Sequence, residues 1–371
     1  MKKVNGHEII GLFEQFSPKG YAMEGDKIGL QIGRLNKPVE NVMITLDLLE
    51  NVVDEAIQKN VQLIIAHHPP IFRPLQKIAT DTAQGRTIEK LIKHDIAVYA
   101  AHTNLDVVSG GVNDLLAEAL GLQNVELLVP TYEMKLKKLV VFVPRTHNEQ
   151  VRNALGEVGA GAIGNYSHCT YSGEGTGHFL PGKMANPFIG SPGVVEAVQE
   201  DRIETIFPES IEKKVLIAML KAHPYEEVAY DIYPLDNKGE QLGLGRIGTV
   251  AEISLGDFAN HVKKVFGLSG IRVVGDLRTP IKKVAVLGGD GNKYWSQAKF
   301  KGADVYVTGD MYYHVAHDAM LSGLNIIDPG HHVEMVMKQG VTNVLEKMCG
   351  EKGYEVNIFP SELNTDPFQF V

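Results

Sequence analysis

The sequence predicts an α/β protein in which a three-layer α/β domain, built from both chain ends, carries an inserted ferredoxin-like domain. The first observation is length, because 371 residues are enough for two or three domains. The second is that apolar strands alternate with helical segments toward both ends of the chain. The third is a β-α-β-β-α-β order in the middle, which is typical of a split βαβ unit. We therefore predict the segments 1–129, 130–236 and 237–371, with the middle one inserted.

Composition and charge exclude several function classes. With 44% hydrophobic and 22% charged residues the chain is globular, and Cys169 and Cys349 cannot form a disulfide framework or a four-thiolate metal site. The net charge of −9 argues against a surface that coats nucleic acid. No apolar run reaches the roughly 18 residues of a membrane span, and no apolar segment follows the lysines of the start, MKKVNGHEII. We expect a cytoplasmic protein without a cleaved signal, a membrane partner or a nucleic-acid partner.

Three buried strands are predicted in the first part of the chain, at residues 41–47, 62–66 and 96–101. The helical segments LLENVVDEAIQK and TIEKLIKHD separate them, and this spacing predicts parallel βαβ units. A further helix, GGVNDLLAEALG, has Asn113 or Asp114 near its start and Gly121 after its end, as capped helices do.

The last part of the chain repeats this alternation, whereas the middle does not. In the last part, helical segments separate the strands KKVAVLGG, DVYVTG, LNIIDPG and VNIFP. The middle has the strands KLVVFVP, YSHCTYSGEGTGHFLPG, DRIETIFP and EVAYDIYPL, with a helix after the first and another after the third. The flanking segments LVPTYEMK (128–135) and DNKGEQ (236–241) are predicted to be linkers.

Polar residues directly follow four of the predicted strands. They occur in HHPPIF after QLIIA, HTNLD after IAVYAA, TGD after DVYV and GHHVE after LNIIDP. Ligands of open parallel sheets bind outside the carboxyl ends of the strands. We therefore expect one sheet edge to gather the side chains of His67, His68, His102, Asp106, Asp310, His331, His332 and Glu334.

These residue types favour a metal site over a nucleophilic triad. Imidazole and carboxylate groups bind zinc, iron or manganese without any thiolate. His331 and Glu334 are three residues apart, so they can face one side of a helix start. The adjacent His67 and His68 would diverge on a regular strand and suit two neighbouring ions better than one. Because at least two carboxylates are available to bridge, the set predicts two divalent metal ions.

Simpler structural roles remain open for several of these residues. A single pair of histidines after a strand is usually part of a turn, and only the four segments together favour a metal site. His314 and His317 fit a structural or supporting role, and His223 fits a structural role in the inserted segment. Asp310 could hydrogen-bond a ligand histidine rather than bind metal.

Two glycine-rich motifs carry weaker signals. GLGRIG (243–248) matches the dinucleotide-binding pattern, but no strand precedes it and no helix follows it. We expect it to form a tight turn or a close backbone approach. GGDG (288–291) follows a strand, where amides attract anions, yet it lacks the Lys-Ser/Thr pair of a phosphate-binding loop. It is either a loop that contacts substrate or a plain tight turn.

Together these motifs resemble the GTP cyclohydrolase I type 2 homologue family, also called NGG-interacting-factor-three-like proteins, over nearly the whole chain. The motifs are GDKIGLQIG, IIAHHPPIF, AHTNLD, GLGRIG, VAVLGGDG, VYVTGD and GHHVE. The resemblance implies a dinuclear metal site held by His67, His68, Asp106, His331 and Glu334, with His102 as a weaker candidate. Some members have one residue more between the histidine and the glutamate of the last motif, so His331 and His332 both remain candidates.

The resemblance also implies an assembly and an activity. The inserted domain is similar to PII-like and CutA-like (divalent-cation-tolerance) trimeric modules, and long members of this kind form homohexamers. The family name implies hydrolytic opening of the guanine ring of GTP, so we expect a metal-dependent hydrolase acting on a nucleotide or a related small molecule. Asp310 or His102 would orient ligands or move protons. The alternatives are a non-catalytic metal-handling or regulatory protein with a small-molecule effector, and a scaffold that binds transcription factors.

Overall fold

The computed structural model describes residues 3–371. Met1 and Lys2, which open the segment predicted to lack a cleaved signal, lie outside the described residues. The chain forms two compact units: the first contains the chain up to Tyr132 together with Leu242–Val371, and the second is Glu133–Gln241. The predicted α/β class, with both chain ends in one unit, is confirmed. Independent folding of the segment 130–236 stays a prediction.

Strands and helices alternate in the first part of the first unit. Its elements are β1 (Val4–Asn5), α1 (Gly6–Phe16), β2 (Gly29–Ile32), β3 (Pro38–Val39), β4 (Asn41–Thr45), α2 (Glu50–Gln58), β5 (Leu63–Ala66), α3 (Ala83–Lys93), β6 (Ala97–Ala100), α4 (Thr103–Val107), α5 (Val112–Ala119) and β7 (Gln123–Glu133). The side chain of Asn5 accepts from the amide of Glu8, whose carboxylate accepts from the amide of Asn5. This reciprocal capping box fixes the start of α1.

The second unit has the predicted β-α-β-β-α-β order. Its elements are β8 (Leu136–Pro144), α6 (Asn148–Glu157), β9 (Tyr171–Phe179), β10 (Glu196–Pro208), α7 (Glu212–Ala222) and β11 (Tyr230–Pro234). The four strands form an antiparallel sheet in the order β11-β8-β10-β9. Both helices pack on one face of this sheet, where Val141 of β8 and Ile203 of β10 meet Val151 of α6 and Val215 of α7.

The chain then returns to the first unit. The remaining elements are β12 (Gln241–Ser254), α8 (Leu255–Phe266), β13 (Arg272–Val274), β14 (Pro280–Asp290), α9 (Trp295–Phe300), β15 (Val305–Gly309), α10 (Tyr313–Leu321), β16 (Asn325–Asp328), α11 (Val336–Glu351) and β17 (Asn357–Pro360). A 3-10 helix, His331–Met335, precedes α11.

The strands that carry the candidate ligands lie in two sheets, so the predicted single sheet edge is wrong. One sheet has the order β17-β4-β5-β6-β2 and the other the order β13-β16-β15-β14-β12-β7. Strands β4, β5 and β6 pair in parallel, as do β14, β15 and β16. The alternation of strands and helices predicted these parallel units correctly. It carries no information about which units share a sheet.

Helices cover both faces of each sheet in the first unit. Along β4, Val42 and Ile44 face a core shared with α1, α5, α8 and α11, whereas Met43 faces α2 and α3. Along β14, Val284 faces the same central core, whereas Ala285 faces α9 and α10. Each sheet is therefore the middle of a three-layer α/β/α arrangement, and the two arrangements share the central helices.

The segment LVPTYEMK, predicted to be a linker, belongs largely to strand β7. Strand β7 is the edge strand of its sheet, which is where a proline such as Pro130 is tolerated. The GLGRIG motif lies in the neighbouring strand β12. A Cβ atom at Gly243 would lie 2.0 Å from the carbonyl oxygen of Val129. The motif thus serves a close backbone approach, which is one of its two predicted roles.

Candidate metal centre

His67 and His68 continue strand β5 beyond its assigned end. Their amides donate to the carbonyl oxygens of Thr45 and Leu46 at 3.0 and 2.9 Å, which prolongs the pairing with β4. Consecutive side chains of an extended segment point to opposite sides. The two ring centroids nevertheless lie only 5.0 Å apart, with the ring planes at 47° to each other, so both imidazoles belong to one cluster.

The other candidate ligands come from helix starts. Asp106 lies on α4, which begins directly after His102. His331 and Glu334 lie on the 3-10 helix that follows β16. Gly330 has a φ of 86°, a conformation that favours glycine, and it turns the chain from the strand into this helix.

Glu334 lies at the centre of the cluster and is buried. Its Oε2 atom is 3.1 Å from Nε2 of His331, 3.2 Å from Nε2 of His68 and 3.7 Å from Nε2 of His67. The Oδ1 atom of Asp106 lies 3.5 Å from Nε2 of His67. Side chains carried by the two sheets of the first unit therefore meet at one point.

Each histidine of the cluster is held through its Nδ1 atom. The hydrogen bonds join His67 to the Ala101 carbonyl oxygen (2.8 Å), His68 to Asp47 (2.6 Å), His331 to Asp310 (2.7 Å) and His102 to Asp26 (2.9 Å). Such partners fix the orientation of an imidazole and the nitrogen it offers to a metal. The predicted hydrogen bond from Asp310 to a ligand histidine is present.

Sequence reasoning missed Asp26 and Asp47. Asp26 lies inside the motif GDKIGLQIG, and Asp47 is the last residue of the first predicted strand, so both stood in segments already singled out. Asp26 also accepts from the amide of Thr103 at 3.0 Å. Contacts between residues this far apart in the chain leave no local pattern.

The residues present fit a metal ion. Within the described chain, two buried atoms of the cluster, Nε2 of His67 and Oδ1 of Asp106, have no hydrogen-bond partner. Buried polar atoms are rarely left unpaired, and an imidazole nitrogen beside a carboxylate oxygen is a usual ligand set. Three groups place one ligand atom per residue within 4.8 Å: His67 with Asp106 and Glu334, His68 with His331 and Glu334, and His67 with His68 and His102.

The electrostatics of the cluster are dominated by burial and by mutual contacts. Burial lowers the pKa of His67 to about 3, so this ring is neutral. Burial opposes protonation of His68 and His331 too, but their carboxylate partners raise the pKa of His68 to about 10 and that of His331 to about 9. Burial raises the pKa of Asp106, and the neighbouring Glu334 adds to this. Burial also opposes the charge on Glu334, yet its histidine partners hold its pKa well below the usual range.

The remaining predicted residues lie outside these groups. Among residues 3–371, His332, His314, His317 and His223 join no group able to hold a metal. The structure therefore brings His331, rather than His332, to Glu334.

The GGDG loop lies beside the cluster, but two of its amides already have acceptors and cannot bind an anion. A Cβ at Gly289 would lie 2.7 Å from Oε1 of Glu334. The amides of Gly288 and Gly291 already donate to Asn113 and Thr308 at 3.0 Å. These contacts favour the tight-turn interpretation of the motif.

Thr365, in the carboxyl-terminal segment, supports one histidine through Asp47. Its hydroxyl donates to Oδ2 of Asp47 at 2.5 Å, and Oδ1 of the same carboxylate accepts from His68.

We expect Thr365→Val to weaken the binding of zinc or manganese by about tenfold. Replacing a residue that supports a metal ligand typically lowers metal affinity by about 10- to 100-fold. Metal titration checks this, and Thr365→Ser should restore the affinity. Equal affinities for the Val variant and the wild type would show that Thr365 does not position His68.

Fold and site together define an α/β protein whose histidine and carboxylate cluster could hold a metal ion. The chain belongs to the Duf34/NIF3 (NGG1p interacting factor 3) family, whose model matches residues 4–367. The family resemblance predicted from the motifs is confirmed.

Relatives match the chain over its whole length. It is 64% identical to a GTP cyclohydrolase 1 type 2 homolog of Bacillus subtilis and 50% identical to one of Listeria innocua, with all of both chains covered. Among solved structures it is similar to a Bacillus cereus protein related to NIF3 (65% identity, TM-score 0.96) and to a Staphylococcus aureus protein (32% identity, TM-score 0.81), each covered completely.

None of the helices found between residues 3 and 371 combines the length and apolar character needed to span a lipid bilayer.

Proposed function

We propose that this chain is a metal-dependent hydrolase that holds two divalent ions and acts on a nucleotide or a related small molecule. The observation that carries the proposal is a pair of buried atoms without hydrogen-bond partners, Nε2 of His67 and Oδ1 of Asp106. They lie 3.5 Å apart, and Nε2 of His67 is 3.7 Å from Oε2 of Glu334. A buried donor or acceptor without a partner costs about 1–3 kcal/mol. A cation between these atoms would satisfy both.

The composition of the groups supports two ion positions. His67 and Asp106 form one group with Glu334, and His68 and His331 form another with the same glutamate. A carboxylate shared between two ligand groups is suited to bridge two ions, as in two-metal hydrolases. We propose His67, His68, Asp106, His331 and Glu334 as the ligands.

Partial exposure of the cluster supports a reaction rather than closed storage. Glu334 and His67 are buried, whereas the side chains of His68, His102 and His331 are 26%, 24% and 36% exposed. A small molecule would approach from this exposed side, and a catalytic site needs such an open position. When bound, zinc, iron or manganese ions supply Lewis acidity and lower the pKa of water.

Two further side chains have proposed supporting roles. Asp310 holds Nδ1 of His331 at 2.7 Å and so orients that ring. Nδ1 of His102 is held by Asp26, while the ring centroid lies 5.4 Å from that of His67. We propose that His102 moves a proton between substrate and solvent.

The name of the relatives supports GTP as the first substrate to test, with opening of its guanine ring as the reaction. We also propose a homohexamer in the cytoplasm. Exposed apolar side chains in the second unit, such as Met184 (98%) and Val195 (67%), support self-association.

The test is metal analysis of protein purified without added metal, followed by a screen of GTP and other nucleotides for hydrolysis. We expect two ions per chain and turnover that is lost on chelation and regained with metal. One ion per chain would contradict the dinuclear site. Two ions without turnover of any nucleotide would favour the metal-handling alternative.

A further inference from the structure

The second unit contains a cavity of about 660 Å³ that plays no part in the proposed metal chemistry. Phe142, Phe179, Phe188 and Tyr225 supply aromatic walls, and Glu200 and Arg202 lie among them. This volume lies within the range of about 300–1,000 Å³ that is usual for small-molecule sites. Largely apolar walls with a few polar groups are also typical of such sites.

The cavity lies on the face of the sheet that the helices do not cover. Val141 and Val143 of β8 and Ile203 of β10 pack toward α6 and α7. Phe142 and Arg202, which alternate with them, point to the opposite face. The rest of the lining comes from two loops, through Leu180–Gly182, Ala185, Pro187–Ile189, Tyr225–Glu227 and Ala229.

His223 holds one wall of the cavity in place. Its Nδ1 atom accepts from the amide of Tyr225 at 3.1 Å, and its Nε2 atom donates to the carbonyl oxygen of Phe142 at 2.9 Å. The loop that carries Tyr225 is thereby tied to strand β8. This contact agrees with the structural role predicted for His223.

Glu200 is a buried carboxylate without a cationic partner. It is only 7% exposed, and Oε1 accepts from the hydroxyl of Tyr225 at 2.9 Å. The nearby Arg202 instead donates to Glu204 at 2.9 Å. Within residues 3–371 neither a lysine nor an arginine forms an ion pair with Glu200. Because a buried charge is costly unless it is paired, this carboxylate favours a cation in the cavity.

The space around Glu200 is maintained by a glycine on the neighbouring strand. A Cβ atom at Gly177 of β9 would lie 2.1 Å from Oε2 of Glu200. The carboxylate therefore lies across β9 beside the cavity rather than in solvent.

The remaining charges add to this preference. Glu174, Glu226 and Glu227 also line the cavity. Glu174 is paired with Arg145 at 2.7 Å, and Glu226 accepts from the amide of Asn186 at 2.9 Å. Aromatic faces attract ammonium and guanidinium groups as well. The guanidinium of Arg202 already lies 5.9 Å from the centroid of the Phe142 ring, which leaves Phe179, Phe188 and Tyr225 for the cation of a ligand. Four carboxylates line the cavity against one guanidinium, that of Arg202, which is paired with Glu204. This excess of negative charge favours an organic cation over a phosphate or a carboxylate ligand.

We propose that this cavity binds an organic cation, with its ammonium or amidinium group on Glu200 and its carbon skeleton against Phe142, Phe179, Phe188 and Tyr225. The site lies wholly in the second unit and does not depend on the proposed hydrolase activity.

The test compares benzamidine with benzamide, two flat molecules of nearly equal shape that differ in charge, using calorimetry or ligand-observed NMR on the full-length protein. We expect benzamidine to bind at millimolar concentration and benzamide to bind at least about tenfold more weakly, as loss of one charge-assisted contact predicts. Glu200→Gln should reduce benzamidine binding to the level of benzamide. Glu149→Gln, an exposed change on α6, should leave it unaltered.

A second variant covers the case in which Glu200→Gln alters the fold. Phe188 is 53% exposed, so Phe188→Ala should leave the thermal transition intact while weakening benzamidine binding. Absence of benzamidine binding would overturn the proposal. Equal binding of benzamide, or unaltered binding in both variants, would overturn it as well, because it would show adsorption without recognition of charge.

Discussion

Glu334→Gln is expected to abolish tight metal binding while leaving the chain folded. The carboxylate lies within 3.7 Å of three histidine Nε2 atoms and belongs to two of the three groups able to hold an ion. Removing its charge affects both proposed ion positions at once. We expect affinity for zinc or manganese to fall by more than about 100-fold, since changes behind a ligand already cost about 10- to 100-fold.

Metal content by mass spectrometry of the purified variant measures this effect, and titration of the metal-free protein supports it. Added metal should raise the melting temperature of the wild type but not that of the variant, because metal stabilises the native state only of a protein that binds it. Glu346→Gln on α11 is the matched control, since this exposed glutamate lies far from the cluster in the same chain segment. Unchanged metal content in Glu334→Gln would show that Glu334 is not a ligand.

Deletion of residues 134–240 is expected to leave metal binding intact. The candidate ligands all lie in the first unit. The amide of Met134 donates to the carbonyl oxygen of Glu240 at 2.9 Å, so the two ends of the deleted segment lie side by side. A short Gly/Ser linker between Glu133 and Gln241 should therefore let the two parts of the first unit pair.

Metal stoichiometry and native mass of the shortened chain are the measurements. We expect the same number of ions per chain as in the full-length protein and a changed assembly, because the exposed apolar side chains of the second unit are removed. Glu334→Gln introduced into the shortened chain should again abolish metal binding. A soluble, folded deletion variant without metal would show that the second unit contributes to the site.

Local patterns predicted most of the elements correctly. Runs such as LIIA in β5 and AVYA in β6 are buried strands. Helix α5 ends before Gly121 as expected, but it begins at Val112, so Asn113 lies inside the helix and Gly111 is its N-cap. Hydrophobic periodicity and turn residues act between near neighbours, so they can be recognised in a single sequence. Segment 128–135 contains the division between the two units, as a linker does, but its strand conformation was not predicted. Its position at the sheet edge, which tolerates Pro130, is not a local property.

For the histidine and carboxylate cluster, the sequence predicts the residue types but not the contacts that orient them. The residue types at His67, His68, Asp106 and Glu334 already indicated metal chemistry, because imidazoles and carboxylates are usual metal ligands and four segments supply them together. Which imidazole nitrogen enters the site depends on partners far along the chain. Asp47 and Thr365 illustrate this, since they are 318 positions apart and still hydrogen-bonded.

The sequence by itself determined the α/β class, the β-α-β-β-α-β order of the insertion and the residue types of the candidate site. Only the tertiary structure decided that two sheets share central helices, that His331 rather than His332 meets Glu334, and that Asp26 and Asp47 orient two of the histidines. The physical reason is that secondary structure follows from interactions within a few residues. The positions of buried polar groups follow instead from the packing of whole elements, which brings distant residues within hydrogen-bond distance.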